Sequence, residues 1–115
     1  MPKTIFVDID GTICTDTGGK YKEAKPMVER IEFFNKLFDE GNTITYWTAR
    51  GMNSGTDHEK LTKSQLIEWG VKHTELLMKK PSYDIFIDDK TFNADEFFAG
   101  TYFSETPKTN TNDFK

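Results

Sequence analysis

Residues 3–12 read KTIFVDIDGT. The first seven, KTIFVDI, are rich in β-branched and aromatic types and apolar at nearly every position. That pattern suits a short strand covered on both faces, as in a parallel sheet. Two aspartates, Asp8 and Asp10, then stand two positions apart where the strand runs out, followed by Gly11 and Thr12. Side chains two apart on a strand leave from the same face.

Working outward, residues 11–25 carry Gly18, Gly19 and several Thr and Lys, and read as a loop or small hairpin. Pro26 suits the first turn of a helix, where a missing N–H costs nothing. Val28, Ile31, Phe34, Leu37 and Phe38 recur at helical spacing, and Gly41 closes that helix. Residues 43–48 (TITYWT) form the second expected strand, followed by Ala49, Arg50 and a loop at 51–55. Thr56 with Glu59 fits a capping box opening a helix that runs to Trp69, with a weaker apolar stripe of Leu61, Leu66, Ile67 and Trp69. A short strand at 74–78, a strand at 83–87 (YDIFI) ending in Asp88 and Asp89, and a short helix at about 93–98 complete the order. Alternation of this kind predicts an α/β sandwich on a mainly parallel sheet. The expected organisation is one domain over residues 1–103 and a polar tail over 104–115.

Composition narrows the functional class. The chain has 115 residues and a net charge of −4, which argues against a broad nucleic-acid footprint. Its single cysteine, Cys14, makes neither an internal disulfide nor a paired-cysteine metal site. No apolar leader and no membrane-length apolar run occurs, so a cytoplasmic protein without membrane partners is expected. His58 and His73 lack metal-ligand spacing, and neither a GxxxxGK[ST] loop nor GxGxxG is present.

The polar residues gather at the carboxyl ends of the expected strands, where α/β sheets bind ligands. Asp8 and Asp10 follow the first, Thr48 the second, and Asp88 and Asp89 the last. Paired carboxylates repel each other, and a divalent cation gives them a reason to share a site. An all-oxygen donor set from Asp8, Asp10 and Asp88 or Asp89 favours Mg²⁺ over zinc. With a phosphate ligand, Asp8 suits attack on phosphorus and Asp10 suits proton transfer to the leaving alkoxide. Thr48 then donates to a phosphate oxygen, and Lys79 or Lys80 offsets developing charge. Arg50 is placed either to contact substrate or to pair with an acid.

The ordered set resembles the haloacid dehalogenase superfamily, most of whose members are Mg²⁺-dependent phosphatases. Asp8-Ile9-Asp10-Gly11-Thr12 resembles its first motif, Thr48 its second, Lys80 before Pro81 its third, and Asp88-Asp89 its fourth. The resemblance implies a Rossmann-like three-layer sandwich. It also implies Asp8 as nucleophile and metal ligand, Asp10 as general acid/base binding the metal through its carbonyl, Thr48 on the phosphoryl group, and Lys80 as charge neutraliser with Lys79 as fallback. One of Asp88 and Asp89 ligates Mg²⁺, while Gly11, Thr12, Ala49 and Arg50 line the substrate site. The intervals between motifs each hold one helix plus loops, leaving no room for a cap domain, so the site is expected to be open, shielded only by residues 12–25 or by the partner subunit of a homodimer. The wording YWTARG and KPSYDIFIDDK is similar to small phosphatase-like proteins of bacterial surface-polysaccharide synthesis. A sugar or polyol phosphate is therefore the expected substrate. The alternatives are a nucleic-acid 3′-phosphatase or nucleotide phosphatase and, from another class, a non-catalytic binding module on the same fold.

Overall fold

The apolar run after Lys3 forms β1 (Thr4–Val7), shorter at both ends than the sequence pattern. In the computed structural model, which describes residues 2–100, a 3₁₀ turn (Tyr21–Glu23), α1 (Val28–Asp39), β2 (Thr43–Trp47), α2 (Glu59–Glu68), β3 (Glu75–Leu77) and α3 (Ala94–Ala99) follow. The 3₁₀ turn lies in the stretch expected to be loop, and the expected tail at 104–115 lies outside the described residues.

Among the described residues the sheet has three strands, in the order β1-β2-β3 and parallel throughout. Ile5 faces Ile44, and Val7 faces Tyr46, which in turn faces Leu76. Two crossovers stepping the same way along a sheet carry their helices to the same face when both have the usual right hand. Accordingly Ile31, Phe34 and Leu37 of α1 and Leu66 of α2 share one core with Val7, Ile44 and Tyr46. α3 joins from the same side: Phe97 and Phe98 meet Phe33 edge to face, with centroids 5.6 and 5.5 Å apart. On the opposite face Phe6 is 55 % exposed, its ring edge-on to Trp47 at 5.8 Å. This is a small α/β fold of the Rossmann type. A third layer made by a helix on the Phe6 face is not formed among the described residues.

The elements end where the chemistry allows. α1 starts at Val28 with Met27 as its N-cap, so Pro26 lies before the helix rather than in its first turn. Its end is sharp because Gly41 takes a φ of 100°, so that its N–H reaches the Phe38 carbonyl and Asn42 N–H the Leu37 carbonyl. The Asn42 side chain then joins three elements, accepting from the Lys3 N–H at 2.9 Å and donating to the Leu37 carbonyl at 2.9 Å. The capping box expected at Thr56 is replaced by Asp57, whose carboxylate accepts from Glu59 N–H at 2.9 Å, and the helix begins three residues later than expected, at Glu59.

Residues 83–87 are the clear departure, because they form no strand. Ile85 and Ile87 are 76 % and 91 % exposed. An apolar, β-rich run becomes a strand only when a ladder partner supplies its hydrogen bonds and a neighbouring face buries its side chains. Neither is in place here. No helix among the described residues is long and apolar enough to cross a membrane.

Candidate functional site

The carboxyl ends of the three parallel strands lie along one edge of the sheet and gather polar residues there. Beyond β1 the chain turns at once: the Thr12 and Ile13 N–H groups both donate to the Ile9 carbonyl, at 3.0 and 2.9 Å. Gly11 takes a φ of 82°, a region costly for any other residue. Ile9 and Ile13 are fully buried, which anchors the turn while Asp8 and Asp10 stand on its rim. Burial is the main influence on Asp8 and pushes its carboxyl above the usual range, against the opposing pull of Lys80 and with a smaller push from Asp10.

Thr48, at the end of β2, is held from both sides. Its N–H donates to the Leu77 carbonyl and its own carbonyl accepts from the Lys80 N–H, both at 3.0 Å. The Thr48 hydroxyl accepts from the Arg50 N–H at 3.1 Å, so it keeps its own proton to donate. After β3, Lys79 is the non-glycine residue with a left-handed backbone among those described, at φ 70°. That turn sends the Lys80 ammonium to within 3.5 Å of an Asp8 carboxylate oxygen, with 14 % of its side chain exposed. The rings of Trp47 and Tyr83 flank it at 5.9 and 5.5 Å. Of the two candidate lysines, Lys80 is therefore the one the fold brings to Asp8.

Arg50 takes the acid-pairing role of its two expected ones. Its side chain is fully buried, with Nε and Nη2 donating to the two Asp10 oxygens at 2.9 and 2.8 Å. Nη1 donates to the Thr62 hydroxyl at 3.0 Å and to the Gln65 carbonyl oxygen at 2.6 Å, and Nη2 also reaches the Cys14 sulfur at 3.9 Å. Every N–H of the guanidinium is thus engaged within the protein, and none is left for a substrate. Cys14 is fully buried, and burial and the neighbouring Asp10 push its thiol up to about 12, so it is inert rather than reactive.

Thr62 and Gln65 escaped sequence reasoning. Their one signal was negative: the α2 stripe is weak because its buried face is partly polar, with Thr62 and Gln65 interior beside Leu66. Beside them the rings of Tyr21 and His58 pack edge to face at 4.8 Å.

The other expected site residues are placed as follows. Thr12 is buried, with its carbonyl taken by Arg30 at 3.3 Å. The Ala49 carbonyl accepts from Met52 N–H at 2.9 Å. Asp88 and Asp89 lie exposed beyond the unpaired 83–87 segment, and Asp88 accepts from the Lys90 N–H at 3.0 Å. Among the described residues, no group of three His, Cys, Asp or Glu side chains could hold a metal ion. The expected Mg²⁺ set of Asp8, the Asp10 carbonyl and one of Asp88 and Asp89 is therefore not assembled among the described residues, because neither Asp88 nor Asp89 joins Asp8; Arg50 takes up both Asp10 carboxylate oxygens.

No protein-family model and no curated protein sequence matches the chain. Among solved structures, it is similar to a crystallised target protein from Vibrio cholerae, at TM-score 0.79 and 25 % identity over 99 % of this chain and 97 % of that one. It is also similar to a chain of the Pnkp1/Rnl/Hen1 complex, at TM-score 0.57 and 16 % identity, over 91 % of this chain but 36 % of the other. The second likeness is one of fold.

Proposed function

We propose that the protein is a capless phosphomonoester hydrolase of the haloacid dehalogenase type, with Asp8 as nucleophile. The observation that carries this reading is the Asp8–Lys80 pair, a carboxylate and an ammonium 3.5 Å apart at the strand ends where Thr48 also lies. A carboxylate that attacks a phosphate monoester meets an anion, and a fixed cation beside it lowers that barrier.

In the first step an Asp8 oxygen forms a bond to phosphorus while the ester P–O bond breaks. Lys80 holds the equatorial oxygens, the Thr48 hydroxyl donates to one of them, and Asp10 gives a proton to the departing alkoxide. In the second step water attacks the aspartyl-phosphate, Asp10 takes its proton, and inorganic phosphate leaves with Asp8 restored. Mg²⁺ belongs to this reading through the resemblance, at Asp8, the Asp10 carbonyl and one of Asp88 and Asp89. The described residues do not gather that set, and the proton and phosphoryl transfers above are carried by Asp8, Asp10, Thr48 and Lys80. A sugar or polyol phosphate is the substrate proposed, on the resemblance of YWTARG and KPSYDIFIDDK to small phosphatase-like proteins of surface-polysaccharide synthesis. A single lysine beside Asp8 is a poor track for a nucleic-acid backbone.

The test is phosphate release from hexose, heptose, glycerol and nucleotide phosphates, with Mg²⁺ or with EDTA, alongside Asp8→Asn. Release that Asp8→Asn abolishes, with a sugar or polyol phosphate as best substrate, is the expected result. Release unaffected by Asp8→Asn overturns the assignment of the nucleophile.

A further inference from the structure

One guanidinium connects Asp10, helix α2 and the loop at 15–25. That loop is closed at its base, with Thr15 N–H donating to the Lys25 carbonyl and Lys25 N–H to the Thr15 hydroxyl, both at 2.9 Å. Its 3₁₀ turn is fastened at Tyr21. The Tyr21 carbonyl accepts from Gln65 Nε2 at 2.7 Å, and its ring lies under the Arg50 guanidinium at 4.6 Å from the centroid. His58 meets the same ring from another side. Gln65 therefore turns its oxygen to Arg50 and its nitrogen to the loop, and Arg50 turns two nitrogens to Asp10.

We propose that Arg50 is a positioning residue that fixes the orientation of Asp10 and, with Gln65 and Tyr21, ties the 15–25 loop to α2, so that acid/base group and loop are held together. The catalytic part rests on the reading of Asp10 given above; the structural part does not. Guanidinium geometry matters: the two parallel bonds to Asp10 and the flat face on Tyr21 both need a planar fork, which an ammonium cannot supply.

A misplaced proton donor costs most where the leaving group needs a proton. Arg50→Lys is therefore expected to lower the single-turnover rate of alcohol release from an alkyl phosphate such as glycerol phosphate roughly 100-fold, while the single-turnover release of 4-nitrophenol from 4-nitrophenyl phosphate, whose phenolate leaves unaided, loses less than about 5-fold. A general loss of structure lowers both alike. Gln65→Met, which keeps the size, the Asp10 pair and the Thr62 bond but cuts both hydrogen bonds made by the Gln65 amide, is the second variant. Amide hydrogen exchange over 15–25 is expected to quicken at least about 10-fold in both variants, with the core of β2 unchanged. Equal losses on the two esters overturn the positioning of Asp10, and unchanged exchange in the loop overturns the tie. If the wild-type protein releases no phosphate from either ester, the phosphatase reading has failed, and the exchange measurement still decides the loop tie.

Discussion

Lys79 and Lys80 are adjacent in sequence and opposite in role. Lys79 absorbs a left-handed turn at φ 70°, and Lys80 carries its charge to Asp8. Glycine adopts that turn without strain, so Lys79→Gly is expected to keep stability within about 1 kcal/mol of wild type and to retain phosphate release. Lys80→Ala is expected to lower kcat by about two orders of magnitude or more, read in the same assay. Asp8 has a stability signature of its own. Its carboxyl titrates above the usual 3.8 in the folded protein, so the folded state holds that proton more tightly than the unfolded chain. Stability contributed by Asp8 is then full below 3.8 and declines as the pH rises through the folded value. Asp8→Asn is thus expected to raise the melting temperature at neutral pH in EDTA, and the gain should vanish below 3.8, where the wild-type carboxyl is neutral in both states. At this scale the places of Asp8 and Thr48 were legible because each follows a strand, where this fold collects its polar groups; strand position left Lys79 and Lys80 equal, and only the resemblance preferred Lys80. The fate of Arg50 was not legible. Whether it pairs with Asp10 or faces a ligand depends on where α2 passes, and only packing fixes that.

At the scale of elements, β1, α1, β2, α2, β3 and α3 all arise where apolar periodicity and turn residues placed them, within a few residues. The misses have physical causes. The α2 start moved because Asp57, not Thr56, supplies the oxygen that accepts from the Glu59 N–H. The strand expected at 83–87 needed a partner that local composition does not encode. The turn between β2 and α2 is the element joint the site depends on, because it sets where Thr62 and Gln65 meet Arg50. Gly51 there has a φ of 87°, and a Cβ would run into the Thr56 carbonyl. Gly55, at φ 76°, has open space around it. Gly51→Ala is expected to destabilise the protein by about 2 kcal/mol or more and Gly55→Ala by about 1 kcal/mol, measured by denaturant unfolding. Equal effects at the two positions would mean that the Thr56 contact does not constrain the turn.

For the whole molecule, the parallel order β1-β2-β3 is what brings these residues together. Parallel strands put all their carboxyl ends on one edge, and there residues distant in sequence meet: Lys80 pairs with Asp8 at 3.5 Å and its N–H donates to the Thr48 carbonyl. The same topology sends α1 and α2 to one face, which buries Arg50 behind Asp10 and leaves Phe6 exposed on the other. The proposed function turns on a bond from Asp8 to phosphorus. Borohydride quenching during turnover of a sugar phosphate, followed by peptide mass spectrometry, reads this directly, because an aspartyl-phosphate is reduced to homoserine. Expected is homoserine at position 8 in the presence of substrate, none without it and none in Asp8→Asn. Sustained phosphate release with Asp8 unmodified, or reduction at a different carboxylate, would contradict it.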